Sequence, residues 1–115
     1  MAGKRLISRD VVRSERFLQL SDKAQLFYTH LMLEADDDGF IETPRQLFRI
    51  LGYGEEELAE LVQGHWIFTF PSEVIVIRHW KVQNKVTKTM YKPTIFAEEL
   101  DMLTEYPVGV YSLKD

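Results

Sequence analysis

Apolar and polar residues follow two different spacings along this chain, and each implies a different element. Three- and four-residue spacing is clearest in SDKAQLFYTHLMLEA, where Ala24, Phe27, Tyr28, Leu31 and Ala35 line one face of a helix that Ser21 can cap. Before it, LISRDVVRSERFLQL reads as an arm or entry strand followed by a short helix. After it, PRQLFRIL predicts a helix with Thr43 as N-cap, Pro44 in its first position and Gly52 as its stop, turning Leu47, Ile50 and Leu51 inward. EEELAELVQ predicts another, with three glutamates in the first turn and Leu58, Leu61 and Val62 on the buried side. The second pattern is β-rich: WIFTF and VIVIRHW are joined by PSE and predict a hairpin. The basic stretch KVQNKVTKTMYKP follows, then a last helix in TIFAEELDML and a linker-like TEYPVGVYSLKD.

Helix, short strand at Phe40–Ile41, two short helices across a tight turn, then a hairpin is the element order of a winged helix-turn-helix. The expected fold is therefore α+β, mainly α, with a β-hairpin wing and a C-terminal helical extension. Residues 1–92 form the expected winged-helix domain, and residues 93–115 the C-terminal helix and a linker toward a second domain. The apolar tail TIFAEELDML has no evident core to join, which points to a homo-oligomer.

Composition narrows the function classes. There is no cysteine, which excludes disulfides, thiolate nucleophiles and zinc–thiolate sites. No run of eighteen apolar residues exists, so a soluble cytoplasmic protein with no membrane partner is expected. The net charge of −4 conceals a segregation. Residues 1–13 carry four cations and one acid, residues 78–92 carry five cations and no acid, and residues 34–73 carry ten acids against Arg45 and Arg49. Two basic segments thus flank an acidic middle.

The acids concentrate in EADDDGFIET. A twelve-residue calcium loop starting at Glu34 would place Asp36, Asp38 and Gly39 suitably, but its final bidentate position is Arg45. Aspartates that accept backbone N–H groups, with Gly39 at positive φ, explain the turn without a metal. Three acids at a helix C-terminus oppose its dipole, so Arg5, Arg9 or Lys23 is expected nearby. His30, His65 and His79 share no ligand spacing, GYG at residues 52–54 is a helix-to-helix turn, and no serine sits in a nucleophile elbow. Nothing points to an enzyme, a cofactor or a metal.

Three strings in order, ADDDGF, VIVIRHW and YKPT, carry a resemblance that spans about residues 4–100. The chain resembles the N-terminal winged-helix domain of phage replisome organizers, DnaD-like replication initiators of Gram-positive phages and prophages. The resemblance implies a DNA-binding or assembly module that, together with a C-terminal region, marks an origin, taken as double-stranded DNA, and recruits helicase-loading proteins.

The basic residues supply the expected contacts: Lys4, Arg5 and Arg9 in the arm, and Arg78, Lys81, Asn84, Lys85, Lys88 and Lys92 in and after the hairpin. Gln83, Thr87, Thr89 and Tyr91 add donors to the same stretch, while Trp66 and Trp80 are read as packing. The second helix of the turn departs from a DNA-reading helix, because Glu56, Ala59, Glu60 and Gln63 would face solvent and repel phosphates. Two readings therefore stand: a DNA-binding module using arm and wing, and a protein-interaction or self-assembly module whose acidic helix meets a basic partner.

Overall fold

The computed structural model describes residues 4–85, 88–105 and 109–114. Two single-turn helices, α1 (Arg9–Val12) and α2 (Glu15–Leu18), lead into α3 (Asp22–Glu34), the longest helix described. Ser21 caps α3 by accepting the N–H of Ala24 at 3.1 Å, and Ala24, Phe27, Tyr28, Leu31 and Met32 on its inner face are buried. Beyond the acidic turn come β1 (Phe40–Glu42), α4 (Arg45–Leu51) and α5 (Glu55–Gln63). Gly54, at φ 148°, separates the two helices; a Cβ there would stand 2.2 Å from the Phe48 ring, so only glycine fits.

The expected hairpin is β2 (Ile67–Thr69) and β3 (Val74–Ile77), and β1 pairs antiparallel with β3 to give the order β1-β3-β2. Its register sets Phe40 opposite Val76 and Ile67 opposite Ile77. Side chains alternate across a sheet, so Phe40, Phe68 and Val76 share one face, and Ile41, Ile67, Ile75 and Ile77 share the other, toward the helices. All four residues of β3 are buried, so both faces of its centre are covered.

The second cover comes from the C-terminal segment, which corrects two expectations. After α6 (Trp80–Gln83), the chain forms α7 (Ala97–Asp101) and a second hairpin, β4 (Leu103–Glu105) with β5 (Tyr111–Leu113). Phe96 and Tyr111 bring their rings 6.3 Å from that of Phe40, and Leu103 is buried. The stretch read as a linker thus supplies strand residues to both β4 and β5, and Phe96, Leu100 and Leu103 of the apolar tail join the core while Ile95 and Met102 stay exposed, so the argument that the tail has no core to join is removed. At its tip the β2–β3 hairpin meets α4 through Arg45–Glu73 and α7 through Ser72–Glu99.

Local corrections follow the same logic. Thr43 does not cap α4, because its hydroxyl donates to the Glu73 carbonyl at 2.6 Å. Ile50 is 72% exposed, and Phe48, stacked on Phe27, takes the inward position instead. Among the described residues no helix is long and apolar enough to cross a membrane.

Candidate nucleic-acid interface

The acidic turn organises everything that could meet a ligand nearby. All six carboxylate oxygens of Asp36, Asp37 and Asp38 accept hydrogen bonds. Asp36 takes the N–H groups of Asp38 and Phe40 at 2.9 and 3.0 Å and the Thr94 hydroxyl. Asp37 takes Arg5 Nη1 at 3.0 Å and the Lys92 N–H at 2.9 Å. Asp38 takes the Tyr91 hydroxyl on both oxygens and the Thr94 N–H at 2.9 Å. The turn's carbonyls are engaged too: Trp80 Nε1 donates to Asp37 O at 2.9 Å, and the Tyr111 hydroxyl to Asp38 O at 2.8 Å. The acids therefore serve as a hub that gathers four distant segments, which is the structural role their spacing allowed.

The electrostatics of the hub follow from its burial. Burial alone would raise the Asp37 carboxyl, but the Lys92 N–H and the Arg5 guanidinium together hold it below the usual carboxylate range. Tyr91 is pushed up to about 12 by burial of its hydroxyl and by the Asp38 carboxylate it donates to. Arg5 also answers the helix C-terminus, since its Nη2 donates to Ala35 O, the C-cap of α3, at 2.7 Å. Its guanidinium lies 5.1 Å from the Trp80 ring.

These contacts sort the expected DNA-binding residues. Arg5 is removed from the interface: its side chain is 3% exposed and paired with Asp37. Asn84 is removed as well, because it is buried with both side-chain groups spent on Leu6, accepting its N–H at 2.8 Å and donating to its carbonyl at 3.0 Å. Lys81 is a half-exposed ion pair with Glu105 at 2.7 Å, which holds Glu105 below its ordinary range and neutralises the lysine locally. Arg78 is half-buried, with its guanidinium 5.9 Å from the Phe68 ring. Lys4, Arg9, Lys85, Lys88 and Lys92 are exposed.

The arm and the basic stretch, far apart in sequence, are joined. Besides the Leu6–Asn84 pair, Gln83 Oε1 accepts the Ser8 N–H at 2.9 Å while its Nε2 donates to the Tyr28 hydroxyl at 3.0 Å. Lys4 and Arg9 thus bracket a junction whose other side continues into Lys85, and the Lys92 backbone closes it through Asp37. Gln83, Asn84 and Tyr91, read as phosphate donors, turn out to be fasteners. A Gln-Asn pair three residues after a tryptophan is a signal that could have marked the first two. Thr87 lies outside the described residues.

The opposite charge is found on α5. Glu56, Ala59 and Gln63 are exposed as expected, but Glu60 is only half-exposed. Its carboxylate accepts the Ser21 N–H at 2.7 Å and the Ser21 hydroxyl at 2.8 Å, so it supports the start of α3. Trp66 and Trp80 are packing residues, buried against Phe17 and beneath Arg5 respectively. His79 packs beside Trp66; burial, Arg78 and Arg16 keep its imidazole below the usual range. Comparison with protein-family models, with curated proteins and with solved structures returned no match.

Proposed function

We propose that this chain is a winged-helix DNA-binding and assembly module of a phage or prophage replication initiator, holding duplex DNA through its phosphates. Lys4, Arg9, Lys85, Lys88 and Lys92 make the contacts, with Arg78 and Lys81 as weaker contributors at the margin. The observation that carries the reading is the junction between arm and basic stretch, which brings the segment that carries Lys4 and Arg9 against the one that continues into Lys85. The element order and the strings ADDDGF, VIVIRHW and YKPT support the family assignment. They also meet in space: the turn bonds Trp80 of one string and Tyr91, Lys92 and Thr94 of another.

Binding through phosphates alone is weak, salt-sensitive and nearly indifferent to sequence. Five neutralised phosphates correspond to a log–log salt slope of about −4.5. Fluorescence anisotropy with a labelled duplex at two salt concentrations measures it. Replacing Lys85, Lys88 and Lys92 together by glutamate should abolish the signal.

A second reading is favoured by one observation, the exposed Glu55, Glu56, Ala59 and Gln63 on α5. There the module docks a basic protein partner through α5. Duplex binding absent at low salt, or unaffected by the three lysine changes, would select it.

A further inference from the structure

We propose that Asp37 is a positioning residue for the DNA interface: its buried pair with Arg5 fixes the arm against the basic stretch, so that removing this negative charge weakens binding to duplex DNA. The inference rests on the reading above and makes a claim opposite to what charge counting gives. Counted as a charge, Asp37 opposes phosphate binding, and its neutralisation should strengthen it. Such a gain is small, about twofold at most, because a unit charge roughly 10 Å from a phosphate is screened by water and salt.

Among the described residues the arm is attached by polar contacts. Leu6 and Ile7 are 65% and 39% exposed, so apolar side chains do not anchor residues 4–8. What holds them is polar: Arg5 to Asp37 and Ala35, the Leu6 backbone to Asn84, and the Ser8 N–H to Gln83. The Arg5–Asp37 pair is the most buried of these, with side-chain exposures of 3% and 0%. Asp37 also fixes the Lys92 backbone on the other side of the junction. One carboxylate thereby ties the arm next to Lys4 to the backbone of Lys92. Freed, the arm must be ordered again at each binding event, and the entropy of that ordering is subtracted from affinity.

The test is Asp37→Asn, measured by duplex anisotropy at 0.1 M salt, below the melting temperature of every variant. The expected result is about tenfold weaker binding and a salt slope shallower by one to two units, as one or two phosphate contacts are lost. Lys4→Ala should cost less affinity in the Asp37→Asn background than in the native chain, a coupling that general destabilisation would not produce. Should Asp37→Asn fail to fold, Asn84→Ala loosens the same junction without stranding a buried charge, and should show the same coupling to Lys4. Equal or tighter binding by the variant, or an unchanged cost of Lys4→Ala, overturns the inference while native binding upholds the function. No duplex binding by the native chain overturns both.

Discussion

Gly39 lies directly against Trp80: a Cβ on Gly39 would stand 2.6 Å from the indole Cγ, and its φ is +89°. Trp80 is 0% exposed and donates to the carbonyl two residues before this glycine. The contact lets the acidic turn pass close over the start of α6, which is what brings the Asp37 and Asp38 carbonyls within reach of Trp80 and Tyr111.

Gly39→Ala should therefore be among the most damaging single changes outside the apolar core. A left-handed backbone and an overpacked tryptophan each add roughly 1–2 kcal/mol, or about 3 kcal/mol together. Urea denaturation should show that loss, with a melting temperature about 10 °C lower.

The C-terminal segment should prove inseparable from the rest. A chain ending at Lys92 would lose both Thr94 donors and would uncover Phe40 and Val76, otherwise covered by Phe96, Leu103 and Tyr111. Such a chain should show no cooperative unfolding transition by circular dichroism. Tyr111→Phe in the full chain, which removes only the hydrogen bond to Asp38 O, should cost about 1–2 kcal/mol.

Alkaline pH should destabilise the fold through Tyr28 and Tyr91. Both phenols are pushed up to about 12 in the folded chain, from an ordinary value of 10.0: Tyr28 by burial against the opposing Gln83 bond, Tyr91 by burial and by Asp38. Raised values favour the protonated, folded form. Their contribution is complete below pH 10 and is lost as pH climbs from 10 to 12, where the unfolded chain releases its protons first. Stability measured across that window should fall, and Tyr91→Phe should flatten part of the decline.

Glu56 and Glu60, neighbours on one helix, should behave differently. Glu60→Ala strips two acceptors from Ser21 at the start of α3 and should cost about 1 kcal/mol. Glu56→Gln should leave stability within about 0.5 kcal/mol. A loss of stability at Glu56 equal to that at Glu60 would contradict the assignment of Glu60 as the capping partner.

Helices α3, α4 and α5 and the β2–β3 hairpin were legible because their signals are local, whereas α1, in a stretch read as an arm or entry strand, and α6, whose Trp80 was read as part of the hairpin run, were not. Ser21 precedes a periodic apolar face, Gly52 and Gly64 follow two others, and a β-branched run such as VIVI has few alternatives to a strand. The C-terminal hairpin was not legible. Among its described residues Leu103, Val110 and Tyr111 are the inward ones, and their worth depends on a sheet face that earlier strands leave uncovered. Ile50 and Phe48 were misassigned for a related reason: both fit the α4 period, and only the position of Phe27 decides which is inside.

By itself, the sequence determined the segregation of charge, the acid-rich turn with its single glycine, and the order of elements as far as β3. Which cations remain available was decided by the tertiary structure. Arg5 and Lys4 are adjacent and alike in sequence, yet one is sealed against Asp37 and the other faces solvent. Charge is a property of a residue, whereas availability depends on which partners folding brings within 3 Å, and those partners here lie tens of residues away.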